Sequence, residues 1–431
     1  MTTKHICVAC NEDGFGPSAF VYYVVRAIVE KWREEVKNGD YNFELKIWVL
    51  NEAAYEFNCG LYSDLPEVCP KTLDSLIKLK KCNGEVHVPD TLDYLKRYEN
   101  ARQSYNQKVQ FYLENCNIAI DIGVPLFVRS AEFAGVNNVI TLFDHSWART
   151  LIGICSDEAE YDYNPNPTLQ DRDEAERLAA EIASDEARAT EVFLFQHYIT
   201  PPEFRKHWEG LQEKAGFKLD FLRGVLGNRH DPKDSLEILN QMFDELKQKP
   251  VLKGDKLVLI SPGGTPVWDD LLPQMIDQYI ARNSSNYILV FSNPKVKDEY
   301  KNKMKNSPSI RWYDFVPRST QQIIMPAFKL VVTRAGGGTV NDCLASNTPF
   351  VCVEEHQWQV RLIERECKNH KPPLIPEFEE TQWENFKSKP MRRIDKFFKF
   401  FDKTKWQLPK IDAGAESWLV DRHIWPKLIH G

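Results

Sequence analysis

The segment Leu330-Val331-Val332-Thr333-Arg334-Ala335-Gly336-Gly337-Gly338-Thr339-Val340-Asn341-Asp342 reads as a buried strand that runs through three glycines into a helix. Glycine lets backbone N–H groups come close to an anion, and a helix N-terminus adds unpaired donors and about half a positive charge. Cradling a diphosphate is the chemistry this suits. Asp342, three residues after Thr339, either caps the first turn or reaches a ribose hydroxyl, and the glycines also suit a tight turn without a ligand. The next apolar strand, Phe350-Val351-Cys352-Val353, ends in Glu354-Glu355-His356-Gln357-Trp358-Gln359, a polar cluster suited to a hydroxyl-rich ligand at the same edge.

Other phosphate chemistries are disfavoured. No Gly-Lys-Ser/Thr closes a glycine-rich loop, and Asn11 to Ser18, after the first strand, offers only Gly14 and Gly16 instead of Gly-x-Gly-x-x-Gly. That argues against an ATPase or a nicotinamide enzyme. His197, His207 and His230 are spread over a polar region without metal-ligand spacing, so neither a metal nor a resident cofactor is expected.

The elements that must position these residues form two series of short apolar runs alternating with helical patterns, which marks parallel sheets covered on both faces. The first series is Ile6–Ala9, Leu45–Leu50, Ile118–Ile120, Val139–Leu142 and Val192–Phe195. The second starts afresh with Leu257–Ile260, then Tyr287–Phe291, Ile310–Tyr313, Leu330–Val332 and Phe350–Val353. The expectation is an α/β protein with two doubly wound domains, residues 1–226 and 255–410. A breaker-rich linker over 227–254 would join them, and a final helical segment lies within 411–431. Ligands of such sheets sit outside the carboxyl ends of the strands, so two facing domains imply a cleft between those ends.

The order Thr333 to Asp342, then Pro349, a strand and Gln359, resembles the donor signature of GT-B glycosyltransferases, closest to the UDP-glycosyltransferases and the N-acetylglucosaminyltransferase that makes lipid II. The resemblance implies two Rossmann-like domains facing across a cleft, with the last helix returning to the first domain. It implies a nucleotide-sugar co-substrate, UDP-linked, and a small-molecule or lipid acceptor. Gly336, Gly337, Gly338 and Thr339, next to Arg334, inherit the diphosphate contact; Asp342, in place of the usual Glu, inherits the ribose, and Gln359 the sugar. Trp358 stands where an acidic neighbour is usual, so Glu355 or His356 substitutes in sugar recognition. Ser261-Pro262-Gly263-Gly264-Thr265 resembles the family's first glycine loop, facing phosphate and sugar, and Tyr313 to Arg318 the segment that holds the base, with Phe315 and Val316 as contacts.

In the first domain the family presents a histidine base after strand one, where this chain has Pro17. Asp13 is then a base candidate if burial raises its pKa, or else a brace of the loop. Phe143-Asp144-His145-Ser146-Trp147 resembles a segment near the meeting point of donor and acceptor, which makes His145 a second base candidate. The alternative is a helix start capped by Asp144. Retaining relatives carry two glutamates eight apart, but Leu362 and Ile363 stand at that offset from Glu354 and Glu355, which implies an inverting hexosyltransferase. A silent nucleotide-sugar binder and a nucleotide-sugar epimerase are the alternatives.

Length and charge agree with an ordinary enzyme. The 431 residues carry 55 Lys+Arg against 62 Asp+Glu, a net −7, so no positive field exists for nucleic acid. Twelve of the acids face three arginines in an insertion-like stretch from Ser156 to Glu191, read as a solvated helix or an acceptor-side lid. The ten cysteines lack a disulfide pattern, and neither a signal-peptide core nor a spanning apolar stretch is present, which fits a cytoplasmic protein. A basic amphipathic segment, Lys387 to Lys405, repeats Ile394, Phe397, Phe398 and Phe401 at helical spacing. It suits an anionic membrane surface or, more commonly, its own domain.

Overall fold

The computed structural model describes the chain apart from residues 1, 12–15, 40, 52–60, 75, 83–84, 144, 157–166, 197–198, 263–267, 283–285, 315, 317, 354–357, 405 and 431. It divides into two compact units, Met1–Leu226 with Gly414–Gly431, and Gly227–Ala413.

The first unit runs β1 (Thr2–Cys10), α1 (Gly16–Lys37), β2 (Phe43–Leu50), β3 (Val68–Lys71), a small hairpin of β4 (Lys81–Cys82) and β5 (Glu85–Val86), α2 (Val88–Leu113), β6 (Ile118–Ile122), α3 (Pro125–Phe133), β7 (Val139–Phe143), α4 (Trp147–Cys155), α5 (Leu169–Glu186), β8 (Glu191–Leu194), α6 (Pro202–Ala215) and β9 (Lys218–Phe221). Among the described residues its main sheet has seven strands in the order β3-β2-β1-β6-β7-β8-β9, every pair parallel. All residues of β6 and β7 are buried, as a sheet covered on both faces requires. The end of the chain belongs here too. Helices α15 (Ala415–Leu419) and α16 (Trp425–His430) flank a π turn, Trp425 packs edge to face with Tyr41 and tilted against Phe43, and Lys427 pairs with Glu191 at 2.6 Å.

The second unit contains α7 (Pro232–Glu245), β10 (Leu257–Ser261), α8 (Leu271–Ile280), β11 (Ile288–Ser292), α9 (Asp298–Asn306), β12 (Ile310–Tyr313), α10 (Arg318–Ile324), β13 (Leu330–Thr333), α11 (Gly337–Ala345), β14 (Phe350–Cys352), α12 (Trp358–Asn369), α13 (Trp383–Ser388) and α14 (Pro390–Thr404). Its sheet is parallel throughout, in the order β12-β11-β10-β13-β14. Both units thus have the doubly wound architecture expected from the sequence.

Three expectations are corrected. Residues 227–254 are not a linker but part of the second unit. Asp231 caps α7 by accepting from Lys233 N at 2.8 Å, with Pro232 pre-set for the first turn, and Leu239 and Phe243 are fully buried. Gln248 then bonds both backbone groups of Trp312, and Asn240 those of Val251. The acidic stretch is not an insertion either, because α5 is the crossover helix between β7 and β8, with Ala175, Leu178, Ala179 and Ile182 buried. Its Asp185 is fully buried against Arg102 and Arg129, each at 3.2 Å, and Tyr98; residues 157–166 lie outside the described part.

The basic helix α14 packs on its own domain. Ile394, Phe397, Phe398 and Phe401 are buried, with Phe397 against Phe378 and Phe398 against Tyr287, while Arg393 and Lys396 pair with Glu380 on the polar side. Its apolar face is therefore occupied, and the membrane reading falls. Replacing Phe397 with alanine removes a fully buried ring and should cost about 3–5 kcal/mol, read as a lower urea midpoint of the second unit's transition.

Candidate functional site

The second unit's candidate residues stand at the carboxyl edge of its sheet, where the strand ends are tied together. The Thr333 hydroxyl donates to Ser261 O at 2.7 Å, and Val353 N donates to Thr333 O at 2.7 Å, so β10, β13 and β14 finish side by side. Gly263, Gly264 and Thr265 follow β10, and Glu355 and His356 follow β14; all five lie outside the described residues, as does Phe315. Val316 is half-buried after β12, and Gln359 stands in the first turn of α12.

The turn after β13 is tight. Gly336 N bonds Arg334 O at 2.8 Å, Gly336 takes the N-cap position, and α11 begins at Gly337. The backbone does not itself demand three glycines here. Gly336 has φ −73°, Gly337 and Gly338 are helical, and a β-carbon on Gly336 would meet only the half-buried Arg334 side chain at an ordinary 3.6 Å. What the glycines provide is the absence of side chains over the first helical turn, the condition for an anion to approach its N–H groups.

Asp342 does not cap that turn, because it stands six residues beyond Gly336. It is 1% exposed and accepts from Gln322 Nε2 at 3.4 Å. Gln322 is itself buried against Gly227 (φ +98°), where any β-carbon would collide with its carboxamide, and Asn228 N donates to its oxygen at 3.4 Å. This partner has no local signal, since Gln322 sits in a short helix without a motif.

In the first unit Asp13 lies outside the described residues. His145 is half-buried in an aromatic setting, with ring centroids of Phe143 at 4.1 Å, Trp147 at 5.4 Å and Phe204 at 5.7 Å. The N-cap of α4 is Ser146, not Asp144: its hydroxyl accepts from Arg149 N and donates to the buried Glu186, which also accepts from Trp147 N at 2.8 Å. His207 approaches the same carboxylate at 3.4 Å. These bonds fix the backbone that immediately follows His145.

A carboxylate missed in the sequence lies next to it. Asp121, within β6, is 2% exposed and accepts from Val124 N at 2.7 Å and the Thr141 hydroxyl at 3.2 Å. Trp147 Nε1 and Asn11 Nδ2 both donate to Gly123 O, which draws the ends of β1, β6 and β7 around this group. The Tyr105 hydroxyl is buried close by without a hydrogen-bond partner among the described residues. Burial pushes Asp121 up to about 7 against those hydrogen bonds, with the Glu186 charge adding to the rise. The signal available beforehand was a lone acid inside Ile118-Ala119-Ile120-Asp121-Ile122, followed by Gly123.

Because the folded pKa exceeds the unfolded value near 4, protonated Asp121 favours the fold. That contribution is whole below about pH 4 and is lost as pH rises through about 7. Relative to an Asp121→Asn variant, the wild-type protein should lose stability across this window, with a slope approaching about 1.4 kcal/mol per pH unit. Urea midpoints of both proteins from pH 4 to 8 check this, and parallel profiles would overturn it.

Known proteins share this fold. Residues 260–358 match the model of the Glycosyltransferase family 28 C-terminal domain. No curated protein matches the chain in sequence. Among solved structures, Medicago truncatula UGT71G1 complexed with UDP-glucose is similar with TM-score 0.53 and 10% identity, over 99% of this chain and 98% of that one. Glycyrrhiza uralensis UGT73P12, complexed with glycyrrhetinic acid 3-O-monoglucuronide, gives 0.54 and 11% over 100% and 96%. UDP-GlcNAc 2-epimerase from Neisseria meningitidis bound to UDP-GlcNAc gives 0.51 and 11% over 100% of each. The chain thus has the GT-B fold of these proteins, and the stretch that matches the family 28 C-terminal domain spans β13, the glycine turn and α11.

Proposed function

We propose that the protein transfers a sugar from a nucleotide-sugar donor, UDP-linked, to a small-molecule or lipid acceptor, with inversion and without a divalent cation. The observation that carries this is the glycine turn: three residues without side chains at a strand-to-helix junction whose backbone does not require them, inside the family 28 segment. The first turn of α11, which begins at Gly337, holds the diphosphate, and the α11 dipole stabilises the charge that develops on it as the glycosidic bond breaks. This is the work a cation would otherwise do.

Asp342, set by Gln322, faces the ribose, with Arg334 beside the diphosphate. Gly263, Gly264 and Thr265 close over the phosphate, Phe315 and Val316 hold the base, and Glu355, His356 and Gln359 take the sugar. The acceptor binds at the carboxyl edge of the first unit. Its hydroxyl loses a proton to Asp13 or His145 and attacks the anomeric carbon in one displacement; Asp121, whose pKa lies near 7, is a third candidate for that proton.

A donor at a hundred times its Kd should stabilise the fold by about 2.7 kcal/mol, seen as a raised melting temperature with one of the UDP, dTDP or GDP sugars. Gly337→Leu should abolish that rise by covering the first turn of α11. Slow release of the nucleotide without acceptor is expected of a transferase, and binding without any turnover would leave a silent binder. The likeness to the Neisseria epimerase supports a second reading. Conversion of UDP-GlcNAc alone into its 2-epimer, followed by proton NMR, would establish that reading against transfer.

A further inference from the structure

Two adjacent glutamines on α10 have different partners. Gln321 is tied to its own neighbourhood: its Oε1 accepts from the Tyr313 hydroxyl at 3.1 Å, and its Nε2 lies 3.3 Å from Met325 Sδ. Gln322 is 3% exposed and reaches across to α11, where its Nε2 donates to Asp342 Oδ1 at 3.4 Å. Asn228 N donates to the Oε1 of the same carboxamide at 3.4 Å. A backbone N–H meets only an oxygen, so this contact decides which end of the amide faces Asp342, and it is the NH2 end.

The carboxamide is also confined. A β-carbon on Gly227 would collide with its nitrogen, its oxygen and the carbon between them, so the amide fills the space that this glycine leaves open. The packing of the two helices has a support of its own. The Thr348 hydroxyl, beyond the end of α11, donates at 3.0 Å to Met325 O, just after α10. An apolar side chain of the same size would fill the seat of Gln322 equally well, and only the amide can orient a carboxylate.

That orientation has a chemical use. An ionised carboxylate accepts at about four lone-pair positions, and the amide takes one of them on Oδ1 without bringing a positive charge. A ribose presents two neighbouring O–H donors, which a carboxylate held at one angle accepts together. Asp342 is one methylene shorter than the Glu that the resemblance gives at this position, so its reach is smaller and its angle matters more.

We propose that Gln322 is a positioning residue of the nucleotide site: clamped against Gly227 and Asn228, it holds the Asp342 carboxylate for the 2′ and 3′ hydroxyls of a ribose, so that the protein takes ribonucleotide donors and rejects 2′-deoxyribonucleotide ones. This rests on reading the second unit as the donor side.

The test titrates the full chain by calorimetry with two matched pairs, UDP against 2′-deoxy-UDP and GDP against 2′-deoxy-GDP. The wild-type protein should bind the ribonucleotide of at least one pair about tenfold more tightly or better, the scale of a hydrogen bond to a charged group. In Gln322→Leu and in Gln322→Met, two variants of similar volume without the amide, that preference should fall below about threefold, through loss of ribonucleotide affinity, while the deoxyribonucleotide affinity stays within about twofold. Asp342→Asn should collapse the preference too, and adding Gln322→Leu to it should change the preference no further, since the two residues act as one unit. A preference retained in both Gln322 variants, or equal weakening of the two nucleotides in a pair, overturns the proposal and leaves the donor reading standing. A wild-type protein that binds both members of a pair equally overturns it as well. Binding of neither ribonucleotide overturns the donor reading and this proposal with it.

Discussion

Parallel pairing governs both units. When every strand of a sheet points the same way, each needs a crossover that returns the chain outside the sheet, and every strand-to-helix turn leaves by one edge. The glycine turn, Asp121 and His145 are far apart in sequence, yet each stands at or near the carboxyl edge of its own sheet for that reason. The tie from the Thr333 hydroxyl to Ser261 O makes this local: it holds two strand ends level, so that the loops beyond them start from a common line. Burial of both sheet faces leaves those loops as the place where polar chemistry can vary without disturbing the core.

How much of this was legible depended on whether the signal was local. Strands such as Leu257–Ser261 and Val139–Phe143 are short apolar runs, and the turn after Leu330–Thr333 is written in three consecutive glycines, so both could be read directly. The edge strands Val68–Lys71 and Lys218–Phe221 escaped because each has only four residues and mixes polar groups or a proline into its run. Residues 227–254 misled because Asp231-Pro232, a breaker pair in a loop, is also a strong helix start. The partners of Asp342 and Asp121 were out of reach, since Gln322 and Thr141 meet them only through the fold.

The charge distribution also changes meaning once packed. The acidity of residues 156–191 looked like a separate surface feature, but Asp185 and Glu186 are buried at the end of α5, where one is neutralised by arginines and the other holds the start of α4. The basic face of α14 is likewise answered locally by Glu380, and Asp395 of the same helix takes Arg282 at 2.6 Å. Net charge thus says little about how the charged groups are paired.

Gly227 has a consequence for how this protein tolerates change. It lies outside every ligand motif and would pass for an ordinary turn glycine, yet its missing side chain is the space that holds Gln322, and Gln322 holds Asp342. Sensitivity to change around Asp342 therefore extends to a glycine that makes room for its partner. A catalogue of contacts would count Gly227 as neutral, whereas a catalogue of volumes would not.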